Sequence, residues 1–183
     1  MCWKILASEI ILKNENLNYF EKGMLFMKTN KIIITSLLLA IGLILHQIIP
    51  GIVFGMKPDL LLAFMILSIT ITKDFKMAII TGIVAGILGA LTTTFPGGQL
   101  PNIIDKSITS IIVYTIYKGI NSNSSLKLAS IYFIGTIVSG SVFLSSALIL
   151  FGLPAPFLAL FVSIVFPTSV FNCFVGLDRK SVV

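Results

Sequence analysis

Apolar residues fall in six long windows, near residues 32–50, 58–72, 77–95, 103–120, 128–151 and 154–176, separated by short polar or glycine- and proline-containing breaks. Runs of about 20 apolar residues are what an α-helix needs to cross a hydrocarbon layer of about 30 Å, so the pattern predicts an all-α membrane protein with six transmembrane helices. The second window is anomalous. Its clean apolar part, from Leu60 to Thr72, rises only about 20 Å as a helix. Gly55-Met56-Lys57-Pro58-Asp59 precedes it, with a proline suited to a first helical position and an acid that complements the positive helix end. A short or broken helix follows, its outer end within the membrane thickness, where irregular backbone is tolerated only if it is buried in protein or lines a cavity.

Small and polar residues modify the other windows. Gly82, Gly86, Gly89 and Ala90 give the third helix a face that another helix can approach closely. Ser36, Ala40 and Gly42 give the first helix a similar face, for packing within the chain or for docking a partner helix. The fifth window carries Ser139, Gly140, Ser141, Ser145 and Ser146. In the sixth, Pro167 predicts a kink, and Asn172 is expected to satisfy carbonyls freed by it, with contact to a solute as the second reading.

Composition and charge fit this picture. Of the 183 residues, 56% are hydrophobic and 11% charged, and the mean hydropathy is +1.05, an apolar excess that a water-soluble core could not bury. The net charge of +6 is spread over hydrophilic ends rather than gathered in a basic groove, which argues against nucleic acid as a partner. Lys28 and Lys31 precede the first window, and Lys73, Lys76, Lys118, Lys127, Arg179 and Lys180 fall in the second, fourth and final connections. The basic-residue bias therefore predicts both termini on the cytoplasmic side. Residues 1–26 read as a polar leader outside the fold, with Met27 as the natural initiator of a transmembrane domain over 27–176, and 177–183 read as a short cytoplasmic tail, truncated or misread. A cleaved signal peptide is the competing reading of the first window, but no A-x-A-like site follows it.

Several chemistries lack their residues. No G-x-x-x-x-G-K-[ST] loop is present to cradle a nucleotide, and one histidine with two cysteines, Cys2 and Cys173, does not make a four-ligand zinc site, so no cofactor is expected.

Polar residues concentrate instead on the outer side. The stretch Thr92-Thr93-Thr94-Phe95-Pro96-Gly97-Gly98-Gln99-Leu100-Pro101-Asn102-Ile103-Ile104-Asp105-Lys106 stops one helix and starts another, and Asn102 with Asp105 reads as a helix cap. Capping leaves unexplained why His46, Lys57, Asp59, Gln99, Asp105 and Lys106 all gather there. Ionisable groups near a bilayer are costly and point to a polar cavity. Two acids, two lysines, the nearby Phe54, Met56 and Phe95, and exposed backbone at Gly97 and Gly98 fit a small zwitterion with an apolar body. The competing reading makes Lys57 with Asp59, and Asp105 with Lys106, interfacial anchors that snorkel to water. For His46, a hydrogen-bonded packing role stands beside that of a proton relay.

Leu39-Ala40-Ile41-Gly42 with His46 and Ile49-Pro50-Gly51, then Phe54-Gly55-Met56-Lys57-Pro58-Asp59, then the run from Leu91 to Lys106, resemble the tryptophan transporter (TrpP) family of Gram-positive bacteria over about Met27 to Asn172. That family is similar to the substrate-binding S components of energy-coupling-factor transporters, which capture a solute outside and associate with a helical coupling subunit and two ATPases. The resemblance implies L-tryptophan as solute, the lipid bilayer as environment and an S-component-like bundle. It also implies that Ser36 and Ala40 dock a coupling subunit. The residues expected at the solute are His46, Lys57, Asp59, Phe95, Gly97, Gly98, Gln99, Asn102, Asp105 and Lys106. Two other classes remain open: an assembly subunit without a ligand, and an intramembrane enzyme, for which no G-x-S-x-G or H-E-x-x-H motif is present.

Overall fold

The computed structural model describes residues 29–48, 50, 57–120 and 125–178, and the chain divides into two compact units, Met1–Ile34 and Thr35–Val183. The leader, Met27, Cys2, the segment from Gly51 to Met56 and the tail from Arg179 onward lie outside the described residues, and so do Ile49 and the side chain of Leu177. Within the first unit, Thr29–Ile34 form the opening turns of a helix. The rest of the description concerns the second unit.

Among the described residues the structure is all-helical. The helices are α1 (Thr29–Ile48), α2 (Leu60–Thr72), α3 (Phe75–Thr92), α4 (Gln99–Gly119), α5 (Ser125–Leu150) and a sixth, α6, made of three consecutive segments: Phe157–Leu160, a π-helical turn Phe161–Val165, and Phe166–Asp178. Four of them contain stretches long and apolar enough to cross a membrane: Thr29–Ile48, Phe75–Thr92, Leu126–Leu150 and Phe157–Phe174. The remaining two, α2 and α4, depart from that pattern for physical reasons that bear on the site.

The α2 helix is short and central. Leu61, Leu62, Ala63, Met65, Ile66, Ser68, Ile69, Thr70 and Thr72 are all buried, so this helix is enclosed on most of its circumference, as expected of a helix that is apolar all round. Its start is fixed by Asp59, whose Oδ1 accepts from the Leu62 backbone N–H at 3.0 Å. Its end is turned by Lys73 at a φ of 52°, and Asp74 caps α3 by accepting from the Lys76 N–H at 2.9 Å. Thirteen residues span only about 20 Å, less than the roughly 30 Å of a hydrocarbon layer.

In α4 the usual polarity is reversed. Pro101, Asn102, Asp105, Lys106, Thr109, Ser110 and Val113 are buried, while Leu100, Ile104, Ile108 and Ile111 are exposed. Spacings of three and four put the polar set on one face, turned into the protein, and leave the apolar set for lipid. The helix begins at Gln99 with Gly98 as its cap residue, four positions earlier than the apolar window suggests. Asn102 therefore sits in the first turn and donates from Nδ2 to the Gly98 carbonyl at 2.8 Å, and Asp105 lies a turn deeper. The expected Asn102–Asp105 cap is corrected accordingly.

The glycines of α3 make the close approach possible. A Cβ at Gly86 would lie 2.9 Å from the Ile103 Cα, and one at Gly89 would lie 3.1 Å from the Asn102 Oδ1. On α1, Thr35, Leu39, Gly42 and His46 are buried on one face, with the Thr35 hydroxyl accepting from Ser68 on α2 at 2.8 Å. Ser36 and Ala40 lie on the exposed face. In α6 the helix departs from α geometry in the turn before Pro167, and Asn172 does not serve that turn: its Nδ2 donates to Thr136 Oγ1 on α5 at 3.0 Å. That contact replaces the expected bond to freed carbonyls.

Candidate functional site

A cavity of about 90 Å³ lies among α1, α2, α4, α5, α6 and the connection between α3 and α4. Its charged wall is built from α4 outward. Lys106, 1% exposed, donates from Nζ to the Asp105 carboxylate at 2.5 Å and to the Asp59 carboxylate at the start of α2. Asp105 is fully buried; its Oδ2 also accepts from the Ser139 hydroxyl on α5 at 2.8 Å, and its Oδ1 from Thr109 one turn down α4 at 2.9 Å. The Ser139 Oγ in turn lies 3.4 Å from Lys106 Nζ. Every member is satisfied by another, which is the condition for charged groups to persist inside a protein.

Burial sets the Asp105–Lys106 pair apart from an interfacial anchor, while Lys57 and Asp59 are only partly buried. A snorkelling anchor keeps its head group in water. The Lys106 and Asp105 side chains are withdrawn from it, and Lys106 serves α2 and α4 together. The cluster of Asp59, Asp105 and Lys106 holds two carboxylates for one ammonium. Beside it, His46 on α1 places Nδ1 3.6 Å from Asp59 Oδ1, and that nitrogen is buried with no hydrogen-bond partner among the described residues. Lys57, half-buried, completes the polar rim.

The opposite wall is apolar. Leu62, Phe95, Phe143, Ile164 and Val165 line it, and Phe95 meets Phe143 edge-on with ring centroids 5.6 Å apart. The π-helical turn supplies Ile164 and Val165, an irregularity of the kind that re-aims side chains at functional sites. Val165 packs against Gly140 on α5, where there is no room for a Cβ.

Of the residues expected at the solute, His46, Lys57, Asp59, Phe95, Asn102, Asp105 and Lys106 line this cavity. Gly97 lines a separate groove instead, with Pro96, Phe151, Gly152, Leu153 and Pro154. Gly98 caps α4, and Gln99 is exposed at its first turn. Phe54 and Met56 lie outside the described residues. The sequence reading did not single out Leu62, Thr136, Phe143, Ile164, Val165 or Thr168 as site residues, and it noted Ser139 and Gly140 only as small residues. One signal was available for Thr136, which precedes Ser139 by three, the spacing of a shared helical face.

Known proteins resemble this chain in sequence over most of its length. The family model described as "Tryptophan transporter TrpP" matches residues 28–182. A "Probable tryptophan transport protein" of Clostridium acetobutylicum is 49% identical over 152 residues, covering 82% of this chain and 89% of the relative. Proteins of the same description from Bacillus subtilis and Clostridium perfringens are 44% and 39% identical, covering 80% and 85% of this chain and 86% and 91% of theirs. No solved structure matches. With the family model and three relatives matching over most of its length, the chain belongs to the tryptophan transporter TrpP family.

Proposed function

We propose that this chain, a tryptophan transport protein by family, takes up the amino acid by binding it in the cavity between the Asp59–Lys106–Asp105 cluster and the Phe95–Phe143 wall. The observation that carries the reading is the charge count of the cluster. The partly buried Asp59 and the buried Asp105 share the one ammonium of Lys106, and the α-ammonium of an amino acid supplies a second positive charge to these two carboxylates. Lys57 on the rim suits the carboxylate, and the apolar wall suits the indole. A cavity of about 90 Å³ is below the roughly 300–1,000 Å³ of sites for drug-sized ligands. Admission of tryptophan therefore requires the lining to move, and its parts outside the helices are Lys57 and Asp59 before α2 and the connection bearing Thr93, Thr94 and Phe95.

The basic-residue bias supports a multi-pass protein of the cell membrane with residues 27–176 as its transporter domain, both termini cytoplasmic and the cavity opening outside. The exposed Ser36 and Ala40 of α1 are the proposed contact for the coupling subunit of an ATPase-driven complex. Uptake by the purified chain alone in vesicles bearing an ion gradient would rule out an obligatory complex.

The direct test is calorimetric titration of the purified full chain with tryptophan, phenylalanine and tyrosine. Tryptophan binds most tightly, and Asp59→Asn weakens it by about 10- to 100-fold, the range for a hydrogen bond to a charged group. Equal tryptophan affinity in wild type, Asp59→Asn and Asp105→Asn would overturn the cavity reading.

A further inference from the structure

Thr136 on α5 and Thr168 on α6 line one end of the cavity, one helical turn along α5 from Ser139 of the charged wall. Among the lining residues, Thr136 lies farthest along α5 from the end at Leu150, and Thr168 farthest along α6 from the start at Phe157. Both are buried.

Their protons are already committed. Thr136 Oγ1 lies 2.7 Å from the Tyr132 carbonyl and Thr168 Oγ1 2.7 Å from the Ile164 carbonyl. A carbonyl only accepts, so each hydroxyl has spent its single hydrogen on its own helix and presents lone pairs alone. Asn172 Nδ2 donates 3.0 Å into Thr136 Oγ1. Because Thr136 has no proton left to give, the amide nitrogen must be the atom that faces it, which fixes the orientation of the amide. The other end, Asn172 Oδ1, is buried without a hydrogen-bond partner among the described residues. One lone pair remains on Thr136 and two on Thr168, with a further unmatched acceptor behind them. The two hydroxyls that line the cavity here therefore present acceptors alone.

We infer that Thr136 and Thr168 read the indole N–H of tryptophan and so set the preference for an indole over other aromatic side chains. The inference rests on the reading of the cavity as the tryptophan site. An indole N–H donates and does not accept, which is the complement of such a wall. A phenyl ring brings no donor and leaves the acceptors unmatched. A phenol brings one donor but also lone pairs that face those of the threonines. Burial enlarges the discrimination, because an acceptor left without a donor there has lost its water as well.

The test uses Thr136→Val and Thr168→Val, which remove a hydroxyl while keeping the branched shape, and compares tryptophan with 3-benzothienylalanine, whose sulfur replaces the indole N–H. Wild type prefers tryptophan. Each valine variant lowers the ratio of the two affinities by about threefold to tenfold, the effect of one neutral hydrogen bond, with benzothienylalanine affinity unchanged or raised because an unmatched acceptor has been removed. Thr136→Ser, which retains the oxygen, restores the ratio. Thr168→Val covers the case in which Thr136→Val misfolds, since Thr136 is also the acceptor of the buried Asn172 amide and its loss would strand that donor. An unchanged ratio in the folded variants, or an equal loss for both ligands, overturns the inference while leaving the cavity reading intact. Failure of the wild-type chain to bind tryptophan overturns both.

Discussion

Lys106 on α4 donates to the carboxylate of Asp59, the residue that caps α2, so one ammonium ties the start of the short central helix to the polar face of its neighbour. Asp59 has two separable jobs. Its Oδ1 holds the first turn of α2 and its Oδ2 meets Lys106. Asp59→Asn keeps an oxygen for the cap and loses the charge, whereas Asp59→Ala loses both. The alanine variant is expected to be less stable than the asparagine variant by about 1 kcal/mol, the usual worth of a cap, as read from thermal unfolding in detergent. Equal stabilities would mean that the cap contributes nothing there.

Removing Lys106 strands two carboxylates. Lys106→Met should cost about 3–5 kcal/mol of stability, because a buried charge without its partner pays its full desolvation. Adding Asp105→Leu and Asp59→Asn to Lys106→Met should recover much of that loss without restoring tryptophan binding. Recovery of stability and binding together would show the cluster to be dispensable to the solute.

The α3–α4 contact is equally open to test. Gly86→Val places side-chain atoms where the Ile103 backbone already lies, 2.9 Å from the position of the new Cβ, and backbone cannot step aside as a side chain can. The expected cost is about 1–3 kcal/mol, accompanied by weaker tryptophan binding, since α4 carries Asp105 and Lys106. A variant that melts and binds as wild type would show that the helices have slack at this crossing.

At Gly97, φ is +73° and an added Cβ would lie 2.8 Å from the Phe151 ring. Gly97→Val should lose about 1–2 kcal/mol from the left-handed backbone alone, and it should reduce uptake in cells by disturbing the connection that carries Phe95. Gly152, also at positive φ but with no atom within 4 Å of an added Cβ, is the control: Gly152→Ala bears the backbone term without the collision.

Much of the fold was legible from hydropathy because lipid and buried contacts both favour apolar residues, so long windows mark helices whatever covers them. The short second helix was legible too, since a missing apolar turn cannot be made up by packing. Where α4 begins was not, because an apolar window leaves out polar residues at a helix start, and the exposed Gln99 and buried Asn102 precede the window at 103 yet belong to that helix. The Asn102–Asp105 cap failed for the same reason: capping arguments assume the helix start, and the start was set by Gly98 and the packing against α3.

By itself the sequence determined that the chain is a helical membrane protein, that one helix is too short to cross alone, and that costly charges gather near one end of it, because each of these depends on residue type and spacing along the chain. It took the packed helices to show that Lys106 pairs with Asp59 as well as Asp105, that His46 stands beside them, and that Thr136 and Thr168 line the same cavity. Those relations join residues far apart in the chain, and a side chain's partner across a helix interface follows from how helices rotate about their axes, which local pattern does not encode.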